Sequence, residues 1–101
     1  MLISIKLTSE HIKKLEELGY AKFNGDRYSK EIDIQSRIDV VYDNEIGRLR
    51  ICTFHKTVSI DTFWGIHELY DNYIHVWQTL KEDMEKVFRI DVINGRIIKE
   101  N

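Results

Sequence analysis

Proline is absent from this chain of 101 residues, where average usage of about 5% would give roughly five. No proline-rich linker exists and no proline breaks an element. Cys52 is the single cysteine, so an intramolecular disulfide is excluded and a reducing compartment fits. No apolar run approaches the roughly 20 residues of a membrane-spanning helix. Met1-Leu2-Ile3-Ser4-Ile5-Lys6-Leu7 has no charged leader before a long apolar stretch, so it does not read as a signal peptide. A cytoplasmic protein without a membrane partner is expected. Basic excess is also missing: 15 Lys+Arg stand against 17 Asp+Glu, a formal net charge of -2. That balance disfavours a general nucleic-acid binder and a DNA mimic alike.

Catalytic signatures are lacking as well. There is no Gly-rich phosphate loop, no Gly-x-Ser-x-Gly elbow and no His-Glu-x-x-His. Cys52 and His55 suggest a nucleophile and base, but residues three apart on a strand point to opposite faces. Cys52 reads as a half-buried structural residue. Asp39 and Asp43 cannot be set opposite each other from sequence alone. The expectation is a protein that is not an enzyme and takes no cofactor.

What is present is dense local patterning. Ile3, Ile5 and Leu7 alternate with Ser4 and Lys6, which predicts a half-buried strand over 2–7. Thr8 or Ser9 can cap a helix carrying Ile12, Leu15 and Leu18, with Gly19 at its C-terminal end. Asn24-Gly25 predicts a type I′ hairpin turn after Tyr20–Phe23. Tyr28, Ile32 and Ile34 predict a strand from Arg27 to Ile34. Ile38, Val40 and Tyr42 predict another from Arg37 to Asp43. Asp43–Gly47 is a turn, and a strand runs from Leu49 to about His55. Thr57–Ile60 adds a short strand. Arg89–Ile93, Asn94-Gly95 and Arg96–Lys99 form a closing hairpin.

Between these lies a segment, Thr57 to Leu80, without lysine or arginine. It holds Phe63, Trp64, Tyr70, Tyr73 and Trp77. Phe63, Ile66, Tyr70, Tyr73, Trp77, Leu80, Met84 and Val87 step by 3 and 4 alternately. That periodicity predicts a helix from Asn72 to Val87; Gly65 and Asp71-Asn72 leave its continuity upstream open, and Asp61 is a candidate cap. The stripe is too wide at Tyr73, Ile74, Val76 and Trp77 for a coiled-coil seam and suits a helix lying across a sheet. The expected architecture is α+β, with residues 1–101 as one domain. An antiparallel meander is covered by a long helix in the C-terminal half and a short N-terminal one, with a closing β-hairpin.

Three candidate sites follow. Trp64, Phe63 and Tyr70 are candidate anchors for another protein, since aromatics dominate interface energetics; Trp64 leads because it falls off the stripe. Arg48 and Arg50 share a strand face that Phe54 continues, with Lys30 and Arg37 nearby. Such a face can clamp single-stranded nucleic acid, or its charges pair across strands with Glu31, Asp33, Asp39 and Asp43. His67, Asp71 and His75 step by four on a helix, a spacing able to chelate a metal, although simple exposure is the plainer reading.

In the style of its segments (Gly19-Tyr20-Ala21-Lys22-Phe23-Asn24-Gly25 leading into a meander, a lone cysteine, a capped long helix) the chain resembles small accessory proteins of phages and mobile elements. That resemblance implies a protein that occludes a host defence or nucleic-acid enzyme, as anti-CRISPR proteins do. It carries over no functional residues. The leading expectation is therefore a non-enzymatic protein-binding module, with a nucleic-acid-binding accessory module and a structural homodimer as alternatives.

Overall fold

A computed structural model describes residues 2–55, 58–59, 74–92 and 96–97. The elements run β1 (Leu2–Ile3), α1 (Ser9–Glu17), β2 (Ala21–Asn24), β3 (Arg27–Glu31), β4 (Ser36–Asp43), β5 (Arg48–His55), β6 (Val58–Ser59), α2 (Ile74–Phe88), β7 (Ile90–Asp91) and β8 (Arg96–Ile97). The fold is α+β. Strands β2 to β5 form the expected antiparallel meander, and the six-stranded sheet runs β1-β5-β4-β3-β2 with β6 also on β5. Short β1 and β6 thus share one edge of β5, at Leu49/Arg50 and at Phe54/His55 respectively.

Helix α1 begins where Thr8 Oγ1 accepts from the His11 amide, while the Thr8 amide donates to His11 Nδ1, both at 3.2 Å. The histidine takes the place Glu or Gln holds in the usual capping box. The helix stops in a Schellman arrangement: Tyr20 N–H reaches the Leu15 carbonyl and Gly19 N–H the Glu16 carbonyl. Gly19 has φ 97°, the left-handed backbone that glycine enters without steric penalty. This stop delivers both Leu15 and Tyr20 into the core.

Alternation along β4 sets the two faces of the sheet. Ser36, Ile38 and Val40 are buried on the inner side, where Ile38 pairs with Lys30 and Thr53 and Val40 with Tyr28 and Ile51. Helix α2 lies over this side with Val76, Trp77, Leu80, Met84 and Val87 buried among Leu15, Tyr28, Ile38, Val40, Leu49 and Ile51. The described half of the 3-4 stripe is therefore core, not a dimer seam; Ile74 alone of its first turn's apolar residues stays 44% exposed. Asp61, Phe63, Gly65, Ile66, Asp71, Asn72 and Tyr73 lie outside the described residues, as does the Asn94-Gly95 turn. Strands β7 and β8 pair antiparallel, Ile90 with Ile97 and Asp91 with Arg96, and make the expected closing hairpin.

Several local expectations are corrected. The first strand is two residues long, because Ile5 N–H turns back to the Ile3 carbonyl. Burial still alternates through Leu7. Strand β3 ends at Glu31 and does not continue to Ile34. Asp33 Oδ1 accepts from Gln35 N–H at 2.8 Å, and Ile32 N–H bonds the Ser36 carbonyl. This tight loop ejects Ile34, which is 99% exposed. At the first hairpin Asn24 stays in its strand opposite Arg27, with a bulge behind it. Gly25 has φ 58° and Asp26 does not follow it to positive φ, the sign pattern of a II′ turn and not of I′.

Candidate binding face

The pleat that buries Ile38 and Val40 sends the other half of each strand to the opposite side of the sheet. There β3 presents Arg27, Ser29 and Glu31; β4 presents Arg37, Asp39, Val41 and Asp43; β5 presents Arg48, Arg50, Cys52 and Phe54. The register places Asp39 between Ser29 and Cys52, Arg37 between Glu31 and Phe54, Val41 between Arg27 and Arg50, and Asp43 beside Arg48. Leu2 sits beyond Arg50 on β1. Among the described residues no helix covers this side.

Asp39 organises the face. It is 1% exposed, and a carboxylate that far from water must be compensated. Ser29 Oγ donates to its Oδ1 at 2.7 Å and Arg37 Nε at 3.2 Å. Arg27 Nη1 lies 3.8 Å from Oδ2. The Arg37 guanidinium also stacks 4.4 Å from the Phe54 ring centre, a cation–π contact. Phe23, 74% exposed, forms one wall of a shallow cleft of about 250 Å³ lined by Arg27, Ser29, Glu31, Arg37 and Asp39.

Of the basic residues predicted for this face, Arg37, Arg48 and Arg50 are there and Lys30 is not. Lys30 points to the inner side, where its Nζ contacts Asp83 Oδ2 at 2.8 Å and lies 5.3 Å over the Tyr20 ring. Tyr20 O–H donates to the same oxygen at 3.0 Å. Burial pushes the Tyr20 phenol far above its ordinary range, and the Asp83 charge and hydrogen bond push it further. The network ties α1, β3 and α2 together and is structural. Two members of the outer face escaped sequence reasoning. Arg27 is recoverable from the period-two pattern of β3. Phe23 is not, because the bulge that releases it leaves no sequence mark beyond the adjacent Asn-Gly.

The metal reading keeps only His75, since His67 and Asp71 lie outside the described residues. His75 Nε2 is 2.5 Å from Asp33 Oδ2, with the two side chains 53% and 38% exposed. Bonds from Gln35 N–H and His75 hold the Asp33 carboxyl down at about 2. No group of three or more metal-ligating side chains occurs among the described residues. Cys52 sits on the outer face opposite Asp39, partly buried. Trp64, Phe63 and Tyr70 lie outside the described residues, so the sheet face is the candidate site that carries geometry. No described helix is long and apolar enough to cross a membrane. No family model, curated protein or solved structure matches this chain.

Proposed function

We propose that this chain is a non-enzymatic binding module that engages another protein through the outer face of its sheet. The supporting observation is the concentration there of exposed Phe23, the Phe54–Arg37 stack and Arg27, Arg48 and Arg50 on the sheet, with both described helices on the other side. Aromatic residues and arginine are the side chains that most often carry binding energy at protein interfaces. The resemblance to phage and mobile-element accessory proteins makes a host defence or nucleic-acid enzyme the partner we favour, with inhibition by occlusion as the mode of action.

A nucleic-acid reading draws on the same arginines and Phe54. Asp39 offsets part of that charge and Asp43 stands opposite Arg48, so we rank it second. The test is affinity capture from bacterial lysate, with and without nuclease, using the wild type and a Phe23→Ser/Arg50→Glu variant. One stoichiometric protein held by the wild type and lost by the variant, at unchanged melting temperature, is the expected result. Equal capture by both would remove the face from the interface. Recovery that disappears with nuclease would favour nucleic acid.

A further inference from the structure

Resting on that reading, we propose that Arg27 and Arg37, braced by buried Asp39, form a clamp for a carboxylate side chain of the protein partner. The recognised segment is acidic and apolar by turns: a glutamate or aspartate seated between the guanidinium groups, with an adjacent apolar side chain against Phe23.

The two guanidinium groups support this occupant. Two guanidinium groups flank one buried carboxylate from opposite ends, Arg27 reaching diagonally from β3 and Arg37 from two positions away on β4. Glu31 also lines the cleft, so its four charged groups balance; Asp39, however, is buried beneath two half-exposed guanidinium groups, and these are what an incoming anion meets. Each guanidinium has five N–H donors, and the contacts to Asp39 engage Nε of Arg37 and Nη1 of Arg27. The remaining donors form the flat, paired array that suits a carboxylate. Both side chains keep about two-fifths of their surface in water, at 43% and 39%, so an incoming anion meets them without opening the fold.

Preorganisation supports it too. Arg37 is held on one side by Asp39 and on another by the Phe54 ring. Ser29 in turn fixes Asp39. A guanidinium so restrained has less rotamer entropy to lose on binding. Such bracing distinguishes the pair from Arg48 and Arg50, which lie exposed on β5.

The same balance argues against a polyanion. Glu31 stands at the cleft opposite Arg37 and Asp43 lies further along the face. A continuous phosphate backbone would meet both, while a single carboxylate between Arg27 and Arg37 meets only Glu31. Glu31 also competes with the ligand for Arg37, which predicts that removing its charge tightens binding.

The test is an amide chemical-shift titration of the full chain with a capped peptide alternating glutamate and phenylalanine. The same peptide with glutamine for glutamate, and a ten-nucleotide oligothymidylate, serve as comparisons. The glutamate peptide should shift the amides around Arg27, Ser29, Arg37 and Asp39 saturably, at least tenfold more tightly than the glutamine peptide. Glu31→Gln should tighten it two- to fivefold. Arg37→Gln should weaken it more than tenfold, and Arg37→Lys, which keeps a charge beside Asp39 without the fork, should weaken it nearly as much while retaining the dispersed spectrum of the fold. Equal affinity for the two peptides, shifts elsewhere, or tighter binding of the oligothymidylate would overturn the clamp. If partner capture needs Phe23 and Arg50 but survives Arg37→Lys, the face remains an interface and the clamp alone falls.

Discussion

At the scale of single residues, buried polar groups separate the well-compensated from the uncompensated. Asp83, 4% exposed on α2, receives bonds from Lys30 and Tyr20. Removing one member of a buried ion pair commonly costs about 3–5 kcal/mol, while replacing both with apolar groups is often neutral. Lys30 retains 22% exposure of its side chain and can turn to water, so Asp83→Leu should cost less than Lys30→Met, which strands the carboxylate. The double variant should recover only part of the loss, since the buried Tyr20 hydroxyl is left without its acceptor, and urea denaturation of the four proteins measures the coupling. Thr53 is the opposite case: its hydroxyl is buried with no hydrogen-bond partner among the described residues, as is Trp77 Nε1. An orphaned buried polar atom costs roughly 1–3 kcal/mol. Thr53→Val should therefore raise stability by about 1 kcal/mol, read from the urea midpoint; a fall would mean that the hydroxyl makes a favourable contact in solution.

At the scale of elements, termini are decided by side chains that seize backbone groups, and two of these titrate. Asp33 closes the β3–β4 loop, and its folded pKa of about 2 lies below the ordinary 3.8. A lowered carboxyl pKa stabilises the fold above the ordinary value and loses that contribution as pH falls toward 2. The carboxylate is exposed, so screening keeps the effect small. The melting-temperature gap between wild type and Asp33→Asn should narrow between about pH 4 and 2. His11 acts in a different window. Burial against Phe88, then the Lys14 charge, lower its pKa below 6.5, and Nδ1 accepts from the Thr8 amide. Protonation thus favours the unfolded chain, and stability declines as pH drops below about 6.5. His11→Gln should flatten the melting-temperature profile between pH 7 and 5. The same side-chain-to-backbone bonds mark where sequence reading stops. Alternation identified Tyr28, Ile38, Val40 and Ile51, because pleat and hydrophobicity agree there. It carried β3 too far, to Ile34, because period two cannot register an Asp33 bond to Gln35 N–H. Charge alone groups Lys30 with the outer arginines, whereas the alternation that puts Tyr28 and Ile32 inside puts Lys30 inside also, and only the distant Asp83 makes that tolerable.

At the scale of the whole molecule, the described residues put one layer of helix on one layer of sheet and are two-faced. Among the described residues, the two helices and the apolar half of every long strand lie on one side, so the folding energy of this part is concentrated there. The outer side contributes to stability chiefly through Asp39 and its partners. It is otherwise free to vary in side chains without disturbing the fold. Exposed substitutions usually fall within about 0.5 kcal/mol of neutral, whereas a fully buried methionine cut to alanine costs about 2–5 kcal/mol. Phe23→Ser, Arg48→Gln and Arg50→Gln combined should move the melting temperature by only a few degrees. Met84→Ala, at 0% exposure between α2 and the sheet, should lower it by at least about 8 °C, since about 4–8 °C accompanies each kcal/mol at this size. Comparable losses from the two sets would mean that the outer face is packed against other parts of the chain and is not a surface. A large gap between them means that the exposed phenylalanine and arginines are retained for something other than folding, and that binding experiments on these variants report on the interface itself.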